Sequence, residues 1–550
     1  MGAPIDLSAP FDHDTILEVR SGRMKRMPGL EIESGIDKTL HDRPVWVGKL
    51  GIDGDEHDLT FHGGVDKAVH GYCSSHYPSW ASEFPLAASR FTPGGFGENL
   101  VTSHMNERNV CIGDIISITS PTSTQPPLLL QISLPRQPCF KLNHRFQLKN
   151  FAPNTWKYSR TGWYYRVLCE GWVAAGDEVR LVERKWPEWT IERVQEFLHR
   201  RKDDEEMNKA LAEIEDLGDE ARNAFKKRVV QAEAKKKKGT EVKWTEYRVV
   251  EKKRQTERIV SLIFDAVEKT EEKPDQGSHV KIRLGNGLVR AYSVVDGSQG
   301  RFQLGIALDD NSRGGSRYLH EKINVGDVIQ ASPFTAGIVP NGMASNHVFI
   351  VGGIGITAFL WLAEAMVQIN WSVQIHFAVR SGDEVPFKER LEKLGKSVVV
   401  YDKEKGERMS IAQIIKAMPW NSSVYCCGPR RLMDDVKASV DAAGIPESEA
   451  HFEAFEADVG GDAFEVVVEK EGEKGSAVMK VGEEETLLEV LEKAFGDIPS
   501  SCEVGNCGTC RVRVKCGKVE HRGTALTAQE KKTEMLTCVS RGMGRIVIEI

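Results

Sequence analysis

The 550-residue sequence lacks long apolar runs. A membrane-spanning helix needs about 20 consecutive apolar residues, and no stretch of the sequence approaches that length. It also lacks a basic excess, because a net charge of −7 gives no overall positive field for nucleic acid. Its first residues, MGAPIDLSAPFDHD, have no basic segment followed by an apolar one, so no secretory signal is expected. We therefore expect a cytoplasmic protein whose partners include neither nucleic acid nor a membrane.

Cysteine is the next informative residue type. The chain has 11 cysteines, an odd number, and no secretion signal accompanies them. A reducing compartment is therefore expected, where thiols serve metal ligation or redox chemistry more often than disulfide frameworks.

The composition and the hydrophobic pattern of the sequence change along the chain and predict a multidomain fold. Residues 12–188 are rich in glycine and short strands, and residues 189–240 form a helical extension with a lysine-rich linker. Residues 241–345 again show short strands, which favours a small β-barrel. Residues 346–455 alternate strands with helices, which is typical of a parallel α/β sheet. Residues 463–550 begin with a hairpin and a helix and then reach a cysteine cluster.

The cysteine cluster has the spacing of a plant-type [2Fe–2S] site. Cys502 is followed by Cys507, Cys510 and, after 27 intervening residues, Cys538. Glycines within the cluster motif allow backbone amides to approach the sulfur atoms, where their hydrogen bonds tune the reduction potential of the cluster. A structural zinc site is the alternative, but Cys538 lacks the near partner that two C-x2-C pairs would require.

Four motifs upstream of this cluster resemble the phthalate dioxygenase reductase family over residues 243–550. They are RAYSVV (290–295), SRGGSRYLH (312–320), GGIGIT (352–357) and YCCGPRRLMDDV (425–436). The resemblance implies a flavin-binding β-barrel, an NAD-binding α/β domain and a β-grasp [2Fe–2S] ferredoxin domain. It also implies FMN rather than FAD and NADH rather than NADPH. In that family the electron acceptor is a separate oxygenase.

The motifs supply the predicted cofactor residues. Tyrosine offers a stacking face, serine a hydrogen bond, and open glycine amides with arginine suit a phosphate. A glycine loop that ends a strand and opens a helix places the helix N-terminus towards a dinucleotide. The flavin residues are Arg290, Tyr292, Ser293, Arg313, Gly314, Gly315 and Ser316, and the NADH residues are Gly352, Gly353, Gly355, Thr357, Cys427, Gly428 and Pro429. Taken singly, these motifs are also compatible with ordinary core and turn positions.

The first part of the chain resembles the MOSC domain, and residues 189–230 resemble the three-helix extension of YiiM-like proteins. The matching stretches are residues 34–72, GGFGENL (94–100), NVCIGD (109–114) and LPRQPCFKLNHRF (134–146). The resemblance implies a molybdenum cofactor with Cys139 as the metal ligand, and reduction of N-hydroxylated compounds. A thiolate is a soft ligand that suits such a metal. A buried structural role for Cys139 is the alternative reading.

Several polar residues accompany Cys139 in the prediction. Lys67 and Arg136, with the HGG turn at 62–64, could hold the phosphate of the cofactor. Asp55 and His62, from a cluster that also holds His57 and Asp58, are candidates for proton transfer beside Cys139. Capping of turns in a glycine-rich segment is an equally good explanation of each acidic or histidine residue singly.

The combination predicts a self-sufficient reductase of hydroxylamines, N-hydroxylated bases or amidoximes. Electrons would pass from NADH through flavin and [2Fe–2S] to molybdenum, and no separate reductase would be needed. Two alternatives stay open. The MOSC part could carry sulfur as a Cys139 persulfide, or the reductase part could supply a separate oxygenase with the MOSC part as a docking module.

Overall fold

A computed structural model describes most of the chain. The described residues are 8–58, 62–120, 125–237, 244–268, 276–309, 314–455, 460–470, 475–496, 498–500, 502–523, 525–527 and 529–550, without the side chains of 234–237. Within these ranges, no helix combines the length and the apolar character that crossing a bilayer requires. The chain forms two compact units, one of residues 1–240 with 342–345 and one of residues 241–341 with 346–550.

The first unit is built on a strongly curved β-sheet. Its strands are β1 (His13–Ser21), β2 (Lys25–Arg26), β3 (Glu33–Ser34), β4 (Thr39–Leu40), β5 (Val45–Gly48), β6 (Gly51–Ile52), β7 (Val69–Cys73), β8 (Leu100–Thr102), β9 (Ile115–Thr119), β10 (Leu128–Pro135), β11 (Trp163–Cys169), β12 (Gly171–Val173) and β13 (Glu178–Glu183). The main sheet has the order β13-β9-β10-β11-β7-β8-β1-β4, and β1 also pairs with β13. That last pairing closes seven strands into a ring. Its helices are α1 (His76–Glu83), α2 (Phe140–Phe146) and α3 (Ala152–Lys157).

Three helices follow this sheet, as predicted. They are α4 (Ile191–Gln195), which continues as a π-helical turn, α5 (Glu205–Ala212) and α6 (Asp219–Lys237). Leu211, Leu217 and Phe225 are fully buried in the same core as strand residues such as Ile132 and Trp163. The helices therefore complete the core of the sheet.

The second unit begins with a closed barrel. Its strands are β14 (Thr245–Arg254), β15 (Ile259–Ala266), β16 (His279–Arg283), β17 (Val289–Ser298), β18 (Arg301–Ala307) and β19 (Val328–Ala331), with helix α7 (Gly315–Glu321) before β19. They pair in the order β14-β15-β18-β17-β16-β19. Alternating burial along β18 places Phe302, Leu304 and Ile306 inside the barrel.

A parallel sheet of five strands comes next. Its elements are β20 (Asn346–Gly352), α8 (Leu360–Gln368), β21 (Ser372–Val379), α9 (Lys388–Lys393), β22 (Val398–Asp402), α10 (Ile411–Ala417), β23 (Ser422–Cys427), α11 (Arg430–Ala442) and β24 (Ala450–Phe452). The order is β22-β21-β20-β23-β24, and β20 is buried at every residue. The carboxyl ends of β20 and β23 consequently meet at one edge, where ligands of such sheets bind.

The last domain is a mixed sheet with one amphipathic helix. Its elements are β25 (Phe464–Glu469), β26 (Ser476–Val481), α12 (Leu487–Phe495), β27 (Arg511–Glu520), β28 (Glu534–Leu536) and β29 (Arg541–Glu549), in the sheet order β26-β25-β29-β27-β28. A capping box of Thr486 and Glu489 starts α12. The predicted multidomain fold is confirmed.

Candidate functional site

A cleft of about 60 Å³ in the first unit brings together residues from distant parts of the sequence. Most of its lining residues are polar or charged. The residues are Ser34, Gly35, Ile36, Lys38, Glu56, His57, Asp58, His62, Gly63, His70, Phe96, Gly97, Asn99, Arg136, Cys139, Lys141 and Tyr164. The prediction that Cys139, Arg136 and His62 share one site agrees with this arrangement.

Cys139 lies at the point where strand β10 gives way to helix α2. Pro135 ends the strand, and Cys139 occupies the N-cap of α2 with extended backbone angles of φ −135° and ψ 174°. Its thiol is half-buried and makes no capping hydrogen bond. Lys141, in the first turn of α2, is buried, and its Nζ lies 3.5 Å from Oδ2 of Asp58. The cleft therefore presents one thiol beside a buried cation.

Arg136 carries the second positive charge of the cleft. It is 3% exposed, and its Nη2 donates a long hydrogen bond of 3.4 Å to the carbonyl of Phe96. Its Nη1 is buried and has no hydrogen-bond partner among the described residues. A buried guanidinium N–H without an acceptor is unfavourable by about 1–3 kcal/mol, so this group is suited to receive an anion. A thiol and an unsatisfied guanidinium fit a thiophilic metal held by a phosphorylated ligand.

His62 and Tyr164 form the polar pair nearest to these groups. Burial, reinforced by the positive charges of Lys141 and Arg136, lowers the pKa of His62 to about 3. Burial raises the pKa of Tyr164 to about 12, so its phenol is protonated at neutral pH. The hydroxyl oxygen of Tyr164 lies 3.5 Å from Nδ1 of His62. His62 is thus a neutral imidazole, and Tyr164 is a lining residue that sequence reasoning missed.

The structure does not bring Asp55 to the lining of this cleft. Its carboxylate is fully buried against Lys38 and accepts hydrogen bonds from the amide of Gly22 at 2.7 Å and from Nδ2 of Asn99 at 2.8 Å. Nε2 of His57, which does line the cleft, lies 3.3 Å from Asp55 Oδ2. Asp55 therefore supports the cleft from behind, because its partners satisfy both of its oxygen atoms.

Lys67 is also absent from the lining. Its ammonium group pairs with Glu220 of the helical extension and lies 5.9 Å from the centre of the Tyr164 ring. The amide of Asp219 donates a 2.8 Å hydrogen bond to the neighbouring Asp66. The turn that carries Lys67 is thus fixed to the start of α6, and its predicted phosphate contact stays a prediction.

Strand β17 carries the predicted flavin residues in the second unit. Arg290 and Tyr292 are half-buried, and burial raises the pKa of Tyr292 to about 12. The side chain of Ser293 is buried and donates a 3.1 Å hydrogen bond to Oε1 of Glu453. A Cβ atom on Gly315 would stand 2.9 Å from Cγ of Arg290, so glycine permits this close approach.

The predicted phosphate loop is described only in part. Arg313 lies outside the described residues, whereas Gly314 caps α7 with φ 94°, a left-handed conformation that favours glycine. The hydroxyl of Ser316, one residue after Gly315, accepts a hydrogen bond of 3.3 Å from the amide of Asp309. Gly314, Gly315 and Ser316 therefore sit together at the start of α7.

Glu453 is a residue that sequence reasoning missed. It follows strand β24, is 6% exposed, and burial raises the pKa of its carboxyl group to about 7. Its Oε2 is buried without a hydrogen-bond partner among the described residues. Its charge also contributes to raising the pKa of Cys427, after burial as the main cause. Nothing in EAFEAD distinguishes this acid from its neighbours, because only the tertiary fold brings it to Ser293.

The glycine loop after β20 meets the end of β23, as the parallel sheet requires. A Cβ atom on Gly355 would stand 2.3 Å from the carbonyl oxygen of Cys427, and one on Gly352 would stand 2.9 Å from Cδ of Pro429. Gly353 has φ +54° and open space around it. The loop forms a 3₁₀ turn over Gly353–Ala358 before α8 begins. The glycines thus follow a buried strand and open a helical segment, in which a 3₁₀ turn precedes α8.

Two further members of the predicted nucleotide set lie within these contacts. Gly428 packs against the loop, since its Cβ position would be 3.0 Å from the amide of Gly352. The hydroxyl of Thr357 donates a 2.8 Å hydrogen bond to the carbonyl of Ile354. Thr357 thus stabilises the turn itself.

The four predicted cluster cysteines lie in two pairs. Sγ of Cys507 accepts a 3.4 Å hydrogen bond from the amide of Cys502, and the sulfur atoms of Cys510 and Cys538 are 3.2 Å apart. Within the described residues, no three Cys, His, Asp or Glu side chains converge on one point. A two-iron cluster with four thiolates needs two pairs rather than one convergent set, so the arrangement fits.

Comparisons with known protein families agree with this organisation. Residues 58–180 match the MOSC domain, residues 189–231 match the YiiM-like 3-alpha helix domain, and residues 470–541 match the 2Fe-2S iron-sulfur cluster binding domain. The last match includes all four predicted cluster cysteines.

Some individual relatives cover nearly the whole chain, and others cover about half of it. A reductase of Gibberella moniliformis is 36% identical over 558 residues, which cover 97% of this chain and 95% of the relative. The heme-dependent oxidative N-demethylase beta subunit of Ectopseudomonas mendocina is 33% identical over 289 residues, which cover 52% of this chain and 92% of that subunit. A solved phthalate dioxygenase reductase covers 56% of this chain and 98% of its own, with 25% identity and a TM-score of 0.44.

The near-complete match places the chain in a family. It belongs to the family of the Gibberella reductase, and this chain combines a MOSC domain and a YiiM-like 3-alpha helix domain with a 2Fe-2S domain. The chain is an NAD(P)H-dependent oxidoreductase that transfers electrons through flavin and [2Fe–2S] domains.

Proposed function

We propose that this protein is a self-sufficient, NADH-dependent molybdenum reductase of N-hydroxylated compounds. The reaction would be R–NHOH + NADH + H⁺ → R–NH₂ + NAD⁺ + H₂O, in which two electrons cleave the N–O bond. Hydroxylamines, N-hydroxylated bases and amidoximes form the substrate class. The observation that carries the proposal is the cleft in which Cys139 lies with the buried, unsatisfied Arg136, in a chain that also contains its own reductase.

The cleft residues would hold a molybdenum cofactor. Cys139 would supply the thiolate to the metal, and Arg136 and Lys141 would receive the phosphate of the cofactor. When bound, such a cofactor supplies an oxygen-atom acceptor, the flavin a two-electron to one-electron converter, and the iron–sulfur cluster a one-electron carrier. Asp55 would hold Lys38 and His57 in place behind the cleft.

Proton delivery in the cleft would follow from the protonation states of its residues. His62 is neutral near pH 7, so it would accept or donate a hydrogen bond without carrying charge. The Tyr164 phenol keeps its proton at this pH and lies 3.5 Å from His62. We propose the two residues as the route by which solvent protons reach the leaving oxygen. Asp55 is less suited to this role because its oxygens are already engaged.

In the second unit, the proposal assigns FMN to the barrel and NADH to the parallel sheet. Ser293 would face the flavin ring from β17, and Ser316 with its neighbouring glycines would hold the single phosphate of FMN at the start of α7. Gly353 and Gly355 would leave room for the nicotinamide nucleotide above the ends of β20 and β23.

The test is anaerobic NADH oxidation by the molybdenum-loaded full chain with a panel of N-hydroxylated compounds. We expect amine formation that matches NADH consumption one to one, with no added protein. Molybdenum content measured on the same sample should approach one per chain. A chain that lacks molybdenum but turns over sulfur on Cys139 would instead support a persulfide carrier.

A second candidate is supported by the name of one relative. The second half of this chain matches a protein named as the beta subunit of an oxidative demethylase, and a subunit acts with a partner. Under this alternative the reductase half would supply a separate oxygenase. Oxygenase-dependent NADH consumption, together with no N-hydroxyl reduction by the chain alone, would favour it.

A further inference from the structure

The loop that carries the cluster cysteines is tied to the rest of the second unit by polar contacts outside the cysteines themselves. Nζ of Lys281, on strand β16 of the barrel, lies 3.0 Å from Oε1 of Glu503. The same ammonium group donates a 3.2 Å hydrogen bond to the hydroxyl of Ser500. Only 15% of the Lys281 side chain is exposed, so the contact is shielded from solvent on the lysine side.

A second contact joins the loop to the parallel-sheet domain. Nδ2 of Asn506 donates a 2.9 Å hydrogen bond to the carbonyl of Ala454, while its backbone amide donates to Sγ of Cys502 at 3.2 Å. Ala454 directly follows Glu453, whose carboxylate accepts the hydrogen bond of Ser293. A short series of contacts thus runs to Cys502 from β17, which carries predicted flavin residues and is called the flavin strand below.

The register of the barrel places the first contact on the same path. His279 of β16 pairs with Ser293 of β17, and Lys281 lies two residues further along β16 on the same face of the strand. Lys281 and Asn506 therefore connect the cluster loop to two segments that contact β17, namely strand β16 and residues 453–454.

We propose that Lys281, Glu503 and Asn506 are positioning residues that fix the cluster loop against the flavin strand for electron transfer. In the step that they support, the NADH-reduced flavin loses one electron and the oxidised cluster gains it. After the reduced cluster has passed this electron to an acceptor such as cytochrome c, a second transfer returns the flavin to its oxidised state. This inference rests on the proposed electron order, and it does not depend on the substrate of the cleft.

Charge reversal in the full chain tests the Lys281–Glu503 pair. Lys281→Glu or Glu503→Lys places like charges opposite each other and should slow cluster reduction by about three- to tenfold after anaerobic mixing with NADH. The double variant restores an ion pair and should recover most of the parental rate. Flavin reduction by NADH should be unchanged in all three variants. Lys515→Glu is the matched control, because it breaks a 3.1 Å lysine–glutamate pair that lies within the ferredoxin domain.

Hydrogen exchange supplies a readout that is independent of turnover. Amides of residues 502–510 should exchange faster in each single reversal than in the parent, and protection should return in the double variant. Asn506→Ala should give the same loss of protection while the four cysteines remain in place.

Two results would overturn the proposal. One is a double variant that stays as slow as Glu503→Lys and whose rate follows the cluster midpoint potential, because the charge next to Cys502 would then act on the potential alone. The other is unchanged protection of residues 502–510 in every variant. Failure of N-hydroxyl reduction with normal cluster reduction would instead count only against the proposed function.

Discussion

Replacement of Arg136 by methionine separates a ligand-binding role from a structural one. Methionine approximates the length of the arginine stem but removes the charge and all five N–H donors. In the parent, the Arg136 side chain donates a 3.4 Å hydrogen bond to the Phe96 carbonyl, also interacts with the Tyr164 hydroxyl, and has an unsatisfied buried Nη1. Among the described residues it has no carboxylate partner. The Arg136 side chain is 3% exposed, and most residues buried to that degree stabilise the fold. The prediction for Arg136 is unusual because we expect its replacement to leave the fold at least as stable.

The magnitude follows from these contacts. Removing the unsatisfied N–H should raise the free energy of unfolding by about 1–3 kcal/mol, and losing the weak hydrogen bond to Phe96 should lower it by about 1 kcal/mol. The free energy of unfolding of the cofactor-free first unit should therefore stay level or rise by up to about 2 kcal/mol. A charge-assisted hydrogen bond to a phosphate contributes about 1.5–3 kcal/mol, so the variant should bind the cofactor about 10- to 150-fold more weakly.

The assays are thermal unfolding of the cofactor-free chain and molybdenum content after extended dialysis of the loaded chain. We expect an equal or higher melting temperature for Arg136→Met together with loss of molybdenum. Arg136→Lys keeps the charge without the planar fork and should fall between the two. A lower melting temperature with unchanged molybdenum retention would refute the reasoning, because Arg136 would then be a structural residue.

The remaining predictions concern the other sites. Cys139→Ala should keep NADH-dependent reduction of cytochrome c and lose N-hydroxyl reduction; survival of that reduction would show that the thiol is not the metal ligand. Cys538→Ser should remove the cluster absorbance, since each iron needs its thiolates, and normal absorbance would contradict the assignment. Gly353→Val should raise the KM for NADH through strain at φ +54°, while Gly395→Val, at φ +53° with equally open space, should not; equal effects would place NADH elsewhere. Burial raises the pKa of Glu453 to about 7, so between about pH 4.5 and pH 7 the folded chain keeps a proton that the unfolded chain releases. The contribution of this group to the free energy of unfolding therefore falls as the pH rises through that range. Infrared spectra should show a protonated carboxyl band at pH 6 that fades by pH 8 and is missing in Glu453→Gln.

The predicted site residues that the structure places together share one property: they are close in sequence or have a fixed spacing. Cys502, Cys507 and Cys510 lie in one loop, and their spacing alone indicates an iron–sulfur site. Cys139 and Arg136 are three residues apart at the end of one strand, so a shared cleft was foreseeable. The glycines of the nucleotide loop could also be identified from the sequence, because two backbone segments approach closely there and only glycine fits.

The parts that were missed depend on contacts between distant segments. Glu453 reaches Ser293 across 160 positions, and Lys67 reaches Glu220 across 153. Proximity in sequence was misleading at GDEHD, because the turn directs Asp55 towards Lys38 while Asp58 lines the cleft. A run of acidic and histidine residues does not show which side chains share a face.

Unsatisfied buried charge offers a way to find such residues without sequence motifs. Several buried polar atoms lack a hydrogen-bond partner in the described part of the chain, and half of them are imidazole nitrogens, one of which carries no proton in a neutral ring. Arg222 and Arg390 also have an unsatisfied nitrogen, but each is ion-paired with a carboxylate through another. Arg136 and Glu453 are different, because no ion pair compensates either group among the described residues. Both lie at a predicted cofactor site, which is where a bound ligand would compensate the unfavourable burial of such a group.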